Sequence, residues 1–184
     1  LMLAMSCSWF EARPLSSIPL QVTAGDQYSY ALHYRGRNNP ELLLNDSRFY
    51  SSRKIIREHF QMVVDHFPDD REFTPAARFQ MAVMDAGLDF PNRIKPRRSV
   101  LRNSIEEFKQ IARDYSKVEI IQVDSIYRQG LCYYQIRDYD NAHRCFKLVC
   151  DNYIEHQVPE IRSIARTACF NHQKTFVYDE KSSN

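Results

Sequence analysis

The sequence has no apolar stretch approaching the ~18 to 20 residues that a membrane-spanning helix needs. Turn-forming residues are also scarce, with 4 glycines and 8 prolines among 184 residues. This scarcity disfavours a turn-rich all-β fold and suits long helices with short connections. It also leaves little from which to build a glycine-rich phosphate loop, so we do not expect a nucleotide-binding enzyme.

Charge of one sign is not in excess. The chain has 25 basic and 23 acidic residues and a formal net charge of +2, so its bulk charge gives no indication of nucleic-acid binding. We find no Ser-His-Asp order and no metal-ligand spacing: His143 and Cys145 are two residues apart, and residues two apart on a helix do not face one another. We therefore expect a protein that is not an enzyme and has no cofactor.

The cysteines form no CxxC pair and are odd in number, which argues against a disulfide framework. Four of them fall in apolar, helical contexts, where a free cysteine packs as a small hydrophobe. We expect reduced cysteines and a reducing compartment. The five are Cys7, Cys132, Cys145, Cys150 and Cys169.

Residues 1–48 show no sustained helical period and are interrupted by proline and glycine, so we expect an irregular N-terminal arm. Its many aromatic side chains predict that the arm is held by packing on its own domain or on a partner. The expected anchors are Trp9, Phe10, Tyr28, Tyr30 and Tyr34.

From residue 53 onwards, apolar residues recur at the three- and four-residue spacing of amphipathic helices. The pattern predicts an all-α domain over residues 49–178, followed by a polar tail at 179–184. Six helices are expected. They cover residues 53–67, 75–86, about 100–115, 118–135, 139–152, and a last helix that starts at Pro159.

The stretch 123–154 predicts a helical hairpin, with small residues where two antiparallel helices approach closely and aromatic residues between them. It resembles a tetratricopeptide repeat, a 34-residue hairpin. Counted from Val123, Gly130, Tyr133, Ala142 and Phe146 fall on the eighth, eleventh, twentieth and twenty-fourth positions, which favour these residue types. The closing proline is absent, and several other positions depart from the pattern.

A degenerate copy lies upstream, where Ser104 and Phe108 repeat the spacing of Ala142 and Phe146 and Ala82 corresponds to Gly130. An insertion of about ten residues interrupts that copy. The resemblance covers 53–178 and implies a stack of antiparallel helical hairpins. Its helix order is similar to that of the mitochondrial fission adaptor of the outer membrane and of the tetratricopeptide lipoprotein of the bacterial outer-membrane β-barrel assembly machine.

Such a stack implies a concave groove lined by the first helix of each hairpin. Polar residues on those helices are then candidate partner contacts, although an ordinary solvated face has the same composition. The candidates are Gln80, Asp85, Asp124, Arg128, Gln129 and Gln135.

A basic cluster within the insertion is the strongest local charge feature of the sequence. Arginine binds phosphate and carboxylate oxygens bidentately, so the cluster is a candidate site for anionic lipid headgroups, an acidic protein or RNA. A solvated loop is the alternative. The cluster comprises Arg93, Lys95, Arg97, Arg98 and Arg102.

These features favour a non-catalytic protein interaction or structural subunit of a hetero-oligomeric, membrane-associated complex. The start at Leu1 and the likeness to the fission adaptor point to mitochondria. The opening LMLAMSC resembles the end of a bacterial lipoprotein signal, with Cys7 as the lipidated residue, which gives an envelope lipoprotein as the alternative. A subunit that binds RNA through the basic cluster is a further alternative, although nucleic acid is not the expected partner.

Overall fold

The computed structural model describes residues 18–37, 48–89 and 94–182, and within these ranges the chain forms seven α-helices and no strand. The all-α expectation is confirmed. The helices are α1 Ala24–Arg37, α2 Arg48–His66, α3 Phe73–Asp85, α4 Arg98–Asp114, α5 Glu119–Gln135, α6 Tyr139–Tyr153 and α7 Pro159–Ser182.

Each helix packs against the next one in sequence, and α1, α3, α5 and α7 also contact one another in that order. Successive helices are antiparallel. In α3 and α4, for example, Arg78 near the start of one contacts Asp114 at the end of the other. The arrangement agrees with the expected helical repeats, in which each pair of helices stacks on its neighbour.

The expectation of an irregular N-terminal arm is wrong for residues 24–37, which form α1. Thr23 caps this helix, because its Oγ1 accepts a hydrogen bond from the backbone N–H of Asp26 at 3.1 Å and donates one to the Asp26 carboxylate at 2.8 Å. This reciprocal arrangement resembles a capping box. Gly25 and Gly36 concealed the helix in the sequence pattern.

α1 belongs to the packed core rather than to an arm. Ala31 is fully buried with Ile56, Phe60 and Val63 of α2. The packed unit therefore begins before residue 49. Of the predicted aromatic anchors, Tyr28 lies between the rings of Phe60 and Phe73 at centroid distances of 5.5 and 5.7 Å.

The core continues along the stack as a series of apolar clusters, each shared by successive helices. Around Phe79 and Phe108, whose ring centroids are 6.0 Å apart, side chains of α3, α4 and α5 meet. Farther along, Val123, Val149 and Ile161 join α5, α6 and α7. Among the described residues no single cluster joins all the helices, so each helix pair depends on its neighbour for burial.

The hairpin of α5 and α6 has the close approach that its small residues predict. A Cβ atom on Gly130 would lie 2.5 Å from Cε1 of Phe146 and 3.1 Å from Cβ of Cys145. Ala142 is fully buried, and Tyr134 packs edge-on against Tyr139 at 5.5 Å. Gly130 therefore sets the distance between the two helices.

Two helices end in the left-handed backbone conformation. Gly87 follows α3 with a φ of 66°, and the N–H of Leu88 donates to the carbonyl of Val83 at 3.0 Å. Arg137 follows α5 with a φ of 64°, and the N–H of Asp138 donates to the carbonyl of Tyr133 at 2.9 Å. Glycine favours this conformation, whereas arginine adopts it at a cost of about 1 kcal/mol.

The expectation of reduced cysteines is wrong for two of them, because Cys150 of α6 and Cys169 of α7 form a disulfide. Antiparallel packing of the two helices brings these residues together, which their separation of 19 residues did not reveal. Cys132 and Cys145 are free thiols. Burial raises the pKa of Cys132 to about 12 and that of Cys145 to about 11, so both remain protonated. Cys7 lies outside the described residues.

We predict that Gly130→Ala lowers the free energy of unfolding, because the added methyl group overlaps the ring of Phe146. Overpacking of this kind costs ~1 to 3 kcal/mol, against a gain of up to about 1 kcal/mol in helix propensity. In a Phe146→Leu background the overlap is relieved, and the same change should become neutral or stabilising. Denaturant unfolding of the four proteins measures both effects. An equal cost in both backgrounds would show that the close approach is absent.

His59 lies at the junction of α1 and α2. It is 2% exposed, and the rings of Tyr30 and Tyr34 cover it at centroid distances of 5.2 and 4.5 Å. Its Nδ1 has no hydrogen-bond partner in the described part of the chain. Burial lowers the pKa of His59, because it penalises the charged imidazolium.

We predict that the protein loses stability as the pH falls below about 6.5, the value for an unperturbed histidine. There the unfolded chain takes up a proton that folded His59 resists, at about 1.4 kcal/mol for each unit by which the two pKa values differ. His59→Phe keeps the ring packing and should reduce the loss between pH 7 and pH 5. The exposed His33 of α1, changed in the same way, is the control. An unchanged pH dependence in His59→Phe would contradict the prediction.

Candidate functional site

A groove of about 540 Å³ opens between α2 and α4, and α3 forms its floor. Both flanking helices pack on α3, yet they do not close over it. In the sequence, residues 86–97 connect the floor helix to α4. The lining residues are Arg57, Gln61 and Val64 of α2, Arg78, Met81, Ala82 and Asp85 of α3, and Val100, Asn103, Ser104 and Glu107 of α4.

An ion pair crosses from α2 to α3 at one side of the groove. Arg57 binds Asp85 bidentately, with Nε to Oδ1 and Nη2 to Oδ2 both at 2.8 Å. The hydrogen bonds to Asp85 raise the pKa of Arg57. Both side chains are about two-fifths exposed, at 41% and 45%, so a molecule in the groove can reach them without breaking the pair.

A second network crosses from α3 to α4. Arg78 donates to Glu107 at 3.1 Å, to the Tyr115 hydroxyl at 3.2 Å and to Asp114 at 3.3 Å. Burial alone would lower the pKa of Arg78, but the hydrogen bonds to Tyr115 and Glu107 raise it overall. The guanidinium is thus fixed in its charged form and its orientation is set from three sides.

A third pair ties the start of α2 to the segment after α3. Arg53 binds Asp89 at 2.9 Å, and its guanidinium also donates to the carbonyl of Met84. The Asp89 carboxylate is only 2% exposed. Burial raises the pKa of Asp89, against the opposing effect of the Arg53 charge. Breaking a pair this deeply buried leaves an uncompensated charge.

The remaining lining is aliphatic or neutral. Val64, Met81 and Val100 supply apolar surface, and the Ser104 hydroxyl donates to the carbonyl of Val100 at 3.1 Å within its own helix. None of the lining residues is histidine or cysteine. The arrangement offers binding chemistry: an apolar surface flanked by fixed charges of both signs.

The predicted partner contacts on α3 do not share one surface. Gln80 faces α1, where its Oε1 accepts a hydrogen bond from Nη1 of Arg35 at 2.9 Å. Asp85 faces α2 and lines the groove. Gln80 and Asp85 therefore face different neighbouring helices and do not form one continuous contact surface.

The predicted contacts on α5 are also separated. Asp124 and Arg128 form an ion pair at 3.0 Å, and burial raises the pKa of Asp124 despite the charge of Arg128. Gln129 is only 7% exposed and so is not available to a partner. Gln135 is exposed on the last turn of the helix.

The predicted basic cluster surrounds the start of α4. Lys95, Arg97, Arg98 and Arg102 are exposed, and they have no ion-pair partner among the described residues. Arg93 lies outside the described residues. Among the arm aromatics, Tyr28, Tyr30 and Tyr34 pack within the core of α1 to α3, while Trp9 and Phe10 lie outside the described residues.

Sequence reasoning missed Arg57, Arg78 and Glu107 as groove residues. Each is a charged residue on an amphipathic helix, and nothing in its local spacing distinguishes it from a solvated charge. The insertion after α3 was the available signal. A longer connection at one point of a hairpin stack indicates that regular packing is interrupted there.

The described residues contain no group of three or more histidine, cysteine, aspartate or glutamate side chains placed to hold a metal ion. No helix in the described ranges is long and apolar enough to cross a bilayer. No protein-family model matches the chain, and neither curated proteins nor solved structures give a significant match.

Proposed function

We propose that this protein is a non-catalytic interaction subunit that holds a segment of a partner protein in the groove between α2 and α4. The observation that carries the proposal is the groove itself, with apolar lining beside charges that are already paired. A partner segment that places an aliphatic side chain against Val64, Met81 and Val100 buries apolar surface without desolvating an unpaired charge.

The ion pairs also favour a particular arrangement of charges in the bound segment. Arg57 and Asp85 present a cation and an anion at one side, and Arg78 and Glu107 do so at the other. A segment with charged residues on both sides of an aliphatic anchor finds complementary charges at both positions. Fixed charges of this kind contribute to specificity more than to affinity.

The resemblance of 123–154 to a tetratricopeptide repeat supports this role, since stacks of such hairpins are commonly binding scaffolds. Within that resemblance, the likeness to the mitochondrial fission adaptor supports a membrane-associated mitochondrial complex as the setting. The hairpin of α5 and α6 then supports the fold, while the interrupted part of the stack binds the partner.

The test is to fill the groove. Asn103 is exposed on α4 and lines the groove, so Asn103→Trp should block it and abolish co-purification of a stoichiometric partner from the native source. Glu106→Trp places the same side chain on the exposed face of α4 outside the groove and is the matched control. Retention of the partner by both variants, with melting temperatures equal to that of the parent protein, would show that the groove is not the docking site.

A second candidate function is supported by the disulfide. Disulfides persist in oxidising compartments such as the bacterial periplasm, so the bond between Cys150 and Cys169 supports an envelope lipoprotein that assists outer-membrane protein assembly. On this reading Cys7 is the lipidated residue.

We predict that Cys150 and Cys169 are resistant to alkylation in protein taken from cells by rapid acid quenching, and that Cys132 reacts only after unfolding. Mass spectrometry of the quenched, alkylated and digested chain measures each site and any lipid on Cys7. Full alkylation of Cys150 and Cys169 would point to a reducing compartment. An unmodified Cys7 would contradict the proposal of an envelope lipoprotein.

A further inference from the structure

The near-zero net charge conceals a strong separation of charge between the two ends of the molecule. Because successive helices are antiparallel, every connection lies at one of two ends. Each helix is divided at its midpoint, and only residues whose side chains are described are counted. We define the basic end as the halves on the side of the α3–α4 and α5–α6 connections, and the acidic end as the halves on the other side. The basic end comprises residues 31–35, 52–57, 80–89, 94–105, 128–145 and 171–174, and the acidic end 18–30, 58–79, 106–127 and 146–170.

The basic end holds 12 basic and 4 acidic residues, a net charge of +8. The acidic end holds 8 basic and 14 acidic residues, a net charge of −6. A helix of 17 residues such as α4 is about 25 Å long, whereas charges in water are screened over about 8 Å at physiological salt. The two ends therefore act on their surroundings as separate charged surfaces.

Seven cations at the basic end are exposed and have no ion-pair partner among the described residues. Lys174 is set apart, because its Nζ lies 4.3 Å from the ring centroid of Phe170, and six remain. They differ from Arg53 and Arg57, whose carboxylate partners are Asp89 and Asp85. The unpaired set belongs to the α3–α4 connection and the start of α4, and to the turn between α5 and α6 with the start of α6. Its members are Lys95, Arg97, Arg98, Arg102, Arg137 and Arg144.

Arg137 is the most informative of the six. It occupies a left-handed position with a φ of 64°, where glycine would relieve backbone strain. Its side chain is exposed. A residue that costs stability, and whose side chain has no hydrogen bond or ion pair within the described part of the chain, is explained if its charge acts outside the fold.

We propose that the basic end binds the surface of an anionic phospholipid membrane. The unpaired cations stand on two neighbouring connections rather than around a cavity, so they suit an extended anionic surface. Single-stranded RNA binding calls for exposed aromatic platforms, whereas Tyr134 and Tyr139 at this end are partly buried and pack on each other. The acidic end is repelled by the same surface, so the molecule binds in one orientation.

This inference is independent of the groove, because Asn103 and the groove charges are not among the six cations. The test measures sedimentation of the full chain with vesicles of phosphatidylcholine alone or with about 30% phosphatidylserine. We expect binding only to the anionic vesicles, and its loss when salt is raised from about 50 to 500 mM. Equal binding to both vesicle types would overturn the proposal.

Charge reversal localises the surface. The test variant combines Lys95→Glu, Arg97→Glu, Arg98→Glu and Arg102→Glu, and the control combines Arg71→Glu, Arg113→Glu, Lys117→Glu and Arg166→Glu, which are exposed residues of the acidic end. Both change the net charge equally. At about fivefold per cation, the test variant should bind at least 100-fold more weakly than the control. Equal losses would mean that net charge alone decides binding.

A single substitution separates binding from folding. Arg137→Gly should raise the melting temperature, because it relieves the backbone at that position, and should lower vesicle affinity about fivefold. Gln135→Ala, on the neighbouring exposed position, is the control. Unchanged vesicle affinity in Arg137→Gly would show that this residue does not contact the membrane.

Tighter binding of single-stranded RNA or polyglutamate than of anionic vesicles would show that the basic end binds RNA or an acidic protein and not a membrane.

Discussion

The alternation of helix direction is the constraint on which the other properties of this molecule depend. Each of the described helices reverses the course of the chain, so residues far apart in sequence meet at one end, and residues half a helix apart are separated by more than the screening length of salt. The same alternation places α3 between α2 and α4, where it contacts both. The groove and the separation of charge thus have one geometric origin.

The helices after residue 48 were predictable from the sequence because their apolar residues recur at helical spacing. α3 to α6 begin and end within two residues of the expected positions and α7 begins at Pro159 as expected, whereas α2 begins five residues earlier than expected. The close approach at Gly130 was also predictable, since a small residue facing an aromatic one is a local signal. α1 was missed because Gly25 and Gly36 interrupt its pattern, while the signal that defines it, Thr23 with Asp26, is a cap and not a period.

Features that depend on contacts between helices were not predictable. The pairing of Cys150 with Cys169 requires the relative position of α6 and α7, and the pairing of Arg78 with Glu107 requires that of α3 and α4. Charge counted along the chain gives a value near zero, and only the folded topology divides it into two ends. The candidate site could be located in the sequence only to the extent that the insertion after α3 marked the interruption of the stack.

The disulfide between α6 and α7 has a consequence for how the molecule responds to proteases. The connection between these helices, residues 154–158, includes the exposed Glu155, and exposed connections are preferred sites of cleavage. A cut there leaves α7 joined to α6 by the bond between Cys150 and Cys169. The nicked chain therefore remains one covalent molecule with its last cluster of Val123, Val149 and Ile161 in place, and the two fragments part only when the protein is both unfolded and reduced.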